Sequence, residues 1–324
     1  MTSIPFRHQP VMGQEVVALL ADVPAGLFVD ATLGGGGHSA LILDARPDVR
    51  ILGLDQDSSA LEAAAVNLAR FGDRVIFRHT RFDFLGQIMS DPTIHALAPE
   101  GLSGVLFDLG VSSPQLDRAE RGFSYRNDGP LDMRMDPTHG QSAADIVNEA
   151  TMGDIAHMLR DYADERFAGR IARAIVAMRP IESTTQLAAI VRDAIPAPAR
   201  RTGGHPAKRT FQALRIAVNH ELDVLPIALD AAIEHTAVGG RVLAMAYHSG
   251  EDRIVKDRFR QAATGGCVCP PGLPCVCGAI KTVRLVKQGS IKPKQTEIET
   301  NPRAESARMR VVEKLAVSSQ MAGS

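Results

Sequence analysis

Phe28-Val29-Asp30-Ala31-Thr32-Leu33-Gly34-Gly35-Gly36-Gly37-His38-Ser39 decides the fold class. An apolar strand ends in a carboxylate, and four glycines follow at once. Glycine lacks a Cβ, so the chain turns at positive φ and its backbone can approach a ligand closely. A glycine turn between a strand and a helix is how open α/β folds build a nucleotide pocket at the strand's C-terminal end. The turn points to an adenosine-bearing cofactor without choosing one.

Outward from this turn, β-type runs are expected over 27–31, 50–54, 75–78 and 104–108. Helical patterns separate the first three; one starts at an N-cap, Asp57 or Ser58, and stops at Gly72. Such alternation implies right-handed βαβ units and a parallel sheet. The alternation then breaks, and 114–238 carries no convincing strand. Helical faces are carried there by Ile155, Met158, Leu159 and Tyr162, by Phe167, Ile171, Ala174, Ile175 and Met178, and by Leu187, Ile190, Val191 and Ile195. A further helix is expected over 211–236, interrupted at Pro226. Strands return over 241–247 and 281–286. The expected organisation is a Rossmann-like α/β domain in two parts, 1–113 and 239–316, with a helical insertion at 114–238 and a disordered tail at 317–324.

The chain has 324 residues, 45% of them hydrophobic, enough for one large core or two smaller ones. Its formal net charge is −1, so nucleic-acid contact would have to come from local patches. Tryptophan is absent and aromatics are 4%, which argues against extended base-stacking platforms. The first residues lack the apolar run of a signal peptide, and no stretch reaches about 18 uninterrupted apolar residues. A cytosolic, non-membrane setting is expected, with the cysteines reduced or on metal.

The choice of cofactor is not settled by the turn. Gly35-Gly36-Gly37-His38-Ser39-Ala40 also fits G-x-G-x-x-A, and Asp55 follows at about the distance of a ribose-binding acid. A nicotinamide dehydrogenase and a methyltransferase both remain open at this point. Two carboxylates favour the second. Asp30 at the strand end suits a cofactor with a cationic amino-acid part better than a pyrophosphate. Asp108 ends the fourth strand and opens Leu109-Gly110-Val111-Ser112-Ser113-Pro114-Gln115, a polar cluster where such sheets place chemistry.

That segment, with Arg121-Gly122-Phe123-Ser124-Tyr125 and Gly129-Pro130-Leu131-Asp132-Met133-Arg134-Met135-Asp136, closely resembles the bacterial ribosomal RNA small subunit methyltransferase H family. The resemblance spans nearly the whole chain. It includes His8-Gln9-Pro10-Val11-Met12, Pro206-Ala207-Lys208-Arg209-Thr210-Phe211-Gln212-Ala213-Leu214-Arg215-Ile216 and Asn301-Pro302-Arg303-Ala304-Glu305-Ser306-Ala307. It implies a Rossmann-like S-adenosylmethionine-dependent methyltransferase fold and N4-methylation of a cytidine in the decoding region of 16S ribosomal RNA. It implies cofactor contacts at Gly36, Gly37, His38, Asp55, Phe82, Asp108 and Gln115. The implied partner is 16S ribosomal RNA in the small ribosomal subunit; the oligomeric state, a homodimer included, is not fixed. Where the family reads His-Ser-Leu-Glu-Asp-Arg, this chain has His248-Ser249-Gly250-Glu251-Asp252-Arg253, which predicts a looser loop.

N4 of cytosine is a poor nucleophile, because its lone pair is delocalised into the ring. Transfer to it should rest on alignment and electrostatics. Asp108 is the favoured catalytic group, with the carbonyls at 109–111 and Ser112 or Ser113 as alternatives. Ser112 and Ser113 also suit a plain turn before Pro114. Phe123 and Tyr125 fit either base stacking or packing against the insertion, and His248 either RNA phosphate, the orienting of Asp108, or a structural strand end. Two runs without acids, 199–219 with Arg200, Arg201, Lys208, Arg209 and Arg215, and 279–296 with Lys281, Arg284, Lys287, Lys292 and Lys294, are the candidate phosphate contacts. A non-catalytic RNA-binding factor would show the same runs. Cys267, Cys269, Cys275 and Cys277 could hold zinc, but C-x-C is tighter than the usual C-x-x-C. Reduced thiols in a surface loop are expected there, and no metal ligand is assigned.

Overall fold

The computed structural model describes residues 10–201, 204–270 and 276–316; the expected tail at 317–324 and Cys275 lie outside the described residues. The described residues form two compact units. One comprises 1–110 and 224–324, the other Val111–Asp223.

The first unit is built on a seven-stranded sheet of order β3-β2-β1-β4-β5-β7-β6. The strands are β1 Gly26–Asp30, β2 Val49–Asp55, β3 Val75–His79, β4 Leu102–Asp108, β5 Thr236–Ala246, β6 Val283–Leu285 and β7 Arg308–Lys314. β1 to β5 run parallel, with Phe28 opposite Ile51 and Asp30 opposite Leu106. β7 is antiparallel to both β5 and β6. The central strands are apolar on both faces, as strands covered on both sides must be. Leu27, Val29, Leu52, Leu54, Val105 and Phe107 pack with Leu225, Leu229, Ile233 and Phe259 on one face. Phe28, Ile51, Leu106, Leu243 and Met309 pack with Val16, Leu20, Ile42 and Leu68 on the other.

The second unit is helical. Met152–Ala163, Ala168–Ala177, Thr184–Ala194 and Lys208–Asn219 bury Ile155, Leu159, Ile171, Ile175, Leu187, Val191, Phe211 and Leu214 in one cluster. Thr151 and Ser183 cap the first and third of these helices, accepting from the N–H groups of Asp154 and Gln186. Met178, expected on an inner face, is 56% exposed, because its helix ends at Ala177.

Three expectations change. The second unit ends at Asp223, whereas the sequence placed the insertion's end at 238. The helix Glu221–His235 turns Leu225, Ala228, Leu229, Ala232 and Ile233 into the sheet's own core. The helix expected over 211–236 breaks at His220, which takes left-handed φ 53, and runs through Pro226 unbroken. β7 has no counterpart among the expected strands, although it lies between β5 and β6 and completes the sheet.

Candidate active site

Strand order reverses between β1 and β4: the chain winds outward through β2 and β3, then returns to place β4 on β1's other side. Such a switch point opens a crevice at the C-terminal ends of the strands. Asp30, Asp55 and Asp108 stand at the ends of β1, β2 and β4.

The turn after β1 feeds the helix Gly37–Ala45, with Gly36 as N-cap at φ 78. A Cβ on Gly36 would stand 2.8 Å from Leu68 Cδ1, and Gly34 takes φ 51. Left-handed φ favours glycine at both positions, and at Gly36 the close approach of Leu68 adds to it. Asp55 ties the turn to β2: its carboxylate oxygens accept from the N–H groups of Gly34 at 2.8 Å and Asp57 at 2.9 Å. Burial outweighs these donors and pushes the Asp55 pKa up to about 6. Asp57 is the N-cap of the helix Ser58–Leu68, accepting from Ser59 N–H at 3.1 Å.

Asp30 is 1% exposed. It accepts from the Ser39 hydroxyl at 2.7 Å and from Thr32 N–H at 3.4 Å. Burial raises its pKa against the opposing Ser39 hydrogen bond and the His38 charge. Its enclosure makes it an anchor of the glycine turn to the following helix, and the ammonium-binding reading of Asp30 gives way to that role. His38 is buried, with Nε2 2.9 Å from the Val11 carbonyl and Nδ1 3.6 Å from Asp108 Oδ2. The carbonyl can only accept, so Nε2 carries a proton.

Asp108 is positioned by its neighbours on both sides. Its N–H donates to Thr32 Oγ1 at 2.7 Å, and the Tyr247 hydroxyl donates to its Oδ1 at 2.6 Å. Burial first, then the Asp108 charge, pushes the Tyr247 pKa well above the usual phenol range, so this donor keeps its proton. Phe82 lies half-buried in the turn Phe82–Phe84 beyond β3, its ring edge-on to Phe107 at 5.7 Å.

The sequence pattern points to His248 and passes over its neighbour Tyr247. His248 instead caps the helix Ser249–Thr264, accepting from Gly250 N–H at 3.2 Å, with Nε2 3.1 Å from Glu251 Oε1. The signal for Tyr247 is strand parity. Asp108 is in register with Met245, so the residue two further along β5's direction shares its face. Gly250 lies in the first helical turn, where Glu251 binds Tyr247 N–H and Asp252 pairs with Arg310 at 2.7 Å. The expected loosening of that segment is offset by this polar frame.

Gln115 belongs to the helical unit. Its side-chain oxygen accepts from Ser112 N–H at 3.0 Å, while Ser112 Oγ accepts from Gln115 N–H at 3.4 Å, a capping box on the helix Ser113–Asp117. Phe123 is buried in the helical core, and Tyr125 stacks on His205 at 4.4 Å. Both are packing residues.

The candidate phosphate contacts divide. Arg200 donates to the carbonyls of Ile195 and Asp193, and Arg209 to that of Asp164. Arg215 forms a two-fold ion pair with Glu221 at 2.7 and 2.8 Å. Arg284 pairs with Glu313, and Lys294 with Glu15. Runs without acids along the chain meet acids across the fold. Lys208, Lys281, Lys287 and Lys292 remain exposed.

A doubly wound sheet with a glycine turn after β1 and acids ending β2 and β4 is the frame of a Rossmann-like methyltransferase. The chain belongs to the MraW methylase family, whose model matches residues 5–315. It is 49% identical over 315 residues to "Ribosomal RNA small subunit methyltransferase H" of Heliobacterium modesticaldum, covering 96% of this chain and 99% of that one. The protein of the same name from Symbiobacterium thermophilum is also 49% identical, over 96% and 97% of the two chains. That of Mycobacterium tuberculosis is 47% identical over 96% of this chain and 80% of its own. Among solved structures, an rRNA methylase from Streptococcus thermophilus aligns with TM-score 0.42 and 11% identity over 95% of this chain and 98% of that one.

Proposed function

We propose that this chain transfers the methyl group of S-adenosylmethionine to N4 of a cytidine in the decoding region of 16S ribosomal RNA, acting in the cytoplasm on the small ribosomal subunit. The observation that carries the reading is near-half identity across 96% of the chain to relatives named for small-subunit ribosomal RNA methylation. The crevice supports it chemically.

When bound, S-adenosylmethionine supplies a methyl group activated on a sulfonium. Asp55 keeps lone pairs beyond those used by Gly34 and Asp57, and these suit the ribose hydroxyls. The half-buried Phe82 ring suits the adenine face. The first-turn N–H groups after Gly36 suit a carboxylate, as helix N-termini do. Asp108 accepts from the N4 hydrogens, orients the nitrogen, and stabilises the positive charge that grows on it. Tyr247 holds Asp108 in place while it does so. Gln115 joins this set on the resemblance alone. A paired cytidine would hide N4, so the base must be single-stranded or flipped out.

The test is mass mapping of methylated cytidines in ribosomal RNA from cells with and without the protein, backed by single-turnover transfer with purified enzyme. Loss of one N4-methylcytidine from small-subunit RNA is expected. Loss of a methyl group elsewhere, or none, overturns the reading. Single-turnover transfer also separates it from a non-catalytic RNA-binding factor, and titration with the two cofactors from a nicotinamide dehydrogenase.

A further inference from the structure

The described residues between the helix Ser249–Thr264 and β6 include Cys267, Val268, Cys269, Val276 and Cys277. Their side chains are arranged against hydrophobic expectation. Val268 is 85% exposed and Val276 89%, while the thiols of Cys267, Cys269 and Cys277 converge. Valine normally takes the inside of such a loop. Here the valines face solvent while the three sulfurs lie close together, those of Cys267 and Cys269 half-buried and that of Cys277 exposed.

The three Sγ atoms all lie within 4.8 Å of one another, and those of Cys267 and Cys277 are 3.6 Å apart. Zinc–sulfur bonds of about 2.3 Å in a tetrahedron place neighbouring sulfurs about 3.8 Å apart. A disulfide would need about 2.05 Å. The backbone N–H of Val276 points at Cys269 Sγ at 3.5 Å, and such a donor favours the thiolate over the thiol. Sulfur ligands select a soft or borderline cation over magnesium or calcium.

We propose that Cys267, Cys269 and Cys277 bind one zinc ion, which closes this connection on itself by joining Cys267 and Cys269 to Cys277. Binding replaces three thiol protons, which leave to solvent, and gives three zinc–thiolate bonds. A tetrahedral ion keeps one further position, for water or another donor.

The test uses the full-length, untagged protein purified under reducing, chelator-free conditions. About one zinc per chain is expected by elemental mass spectrometry. Exchange with cobalt should give sulfur-to-cobalt charge-transfer absorption and the visible bands of a tetrahedral ion. Cys267→Ser, Cys269→Ser and Cys277→Ser should each weaken zinc retention at least tenfold. Methyl transfer should persist in each variant, because none of the three is among the residues proposed for cofactor or base. A second measurement needs no variant: thiol titration of the parent should show these cysteines protected until a zinc chelator is added. Zinc-free protein with fully reactive thiols and no cobalt charge-transfer band would overturn the proposal. So would zinc retained by the triple serine variant.

Discussion

Asp55 carries two consequences at the scale of a single residue. It is the acceptor proposed for the ribose, and a charge-assisted hydrogen bond is typically worth about 1.5–3 kcal/mol. Asp55→Ala should therefore weaken S-adenosylmethionine binding roughly ten- to a hundredfold in calorimetry; an unchanged dissociation constant would remove Asp55 from the ribose. Its pKa of about 6 adds a dependence on pH. A folded-state pKa above the unfolded value means that the folded protein binds more protons, so stability falls as pH rises from about 4 to about 6. Asp55→Asn should lack that decline, and the melting temperatures of the two proteins should converge or cross across this window. Cofactor affinity should move the opposite way in the parent, tightening as the carboxylate ionises, and should stay flat in Asp55→Asn. Tyr247→Phe removes only the hydroxyl donated to Asp108. It should lower the single-turnover rate by about tenfold, the worth of one modest hydrogen bond, while the cofactor dissociation constant stays within about twofold. The acids of the site are legible in the sequence because each ends a strand. Tyr247 is not, because its role depends on which face of β5 meets β4, a relation set by register and absent from local spacing.

At the scale of elements, strands β1 to β5 and the caps at Asp57, Thr151 and Ser183 can be read from apolar runs and polar punctuation. β7 cannot. Its alternation of Arg308, Met309, Arg310 and Val311 is short and breaks at Val312, and β5, which it joins to the sheet, lies far away in sequence. Pro226 misleads for the converse reason. It lies inside the helix Glu221–His235, in the second turn, where its missing N–H leaves the bond to the Leu222 carbonyl unmade, and the burial of Leu225, Leu229 and Ile233 in the sheet core holds the helix despite that loss. The turn at His220 has no glycine to announce it. Asn219, just before it, shows what one side chain does for an element. It is buried, accepts from Met135 N–H at 2.8 Å, and donates to the carbonyls of Met133 and Arg215 at 2.8 and 2.9 Å. It thereby fastens the segment around Met133, itself at φ 60, to the helix Lys208–Asn219. Asn219→Ala strands buried backbone groups at about 1–3 kcal/mol each. It should destabilise the protein by about 3 kcal/mol in denaturant unfolding; a loss below about 1 kcal/mol would show that the segment holds without this clamp.

At the scale of the whole molecule, a net charge of −1 leaves RNA binding to particular cations, and the fold sorts them. Arg200 and Arg209 hold backbone carbonyls, while Arg215 and Arg284 hold glutamates. Removing them would disturb the protein before it disturbed RNA. Lys208, Lys281, Lys287 and Lys292 are exposed and are the better candidates, one on the helical unit and three on the sheet unit. Replacing these four with alanine should weaken binding to small-subunit RNA. Each phosphate deprived of its lysine should flatten the dependence of log affinity on log salt by about 0.7–0.9. All four together should therefore remove roughly 3 from the slope. Cofactor affinity should be unchanged, since Gly36, Asp55 and Asp108 are untouched. Melting temperature should stay near the parent's, in contrast with Arg200→Ala and Arg215→Ala, which should lower it. The measurement is RNA affinity across a salt series for parent and variant side by side. Parallel slopes with equal affinities would make these lysines a solvated surface. The salt dependence that both proteins still showed would then belong to other cations of the chain.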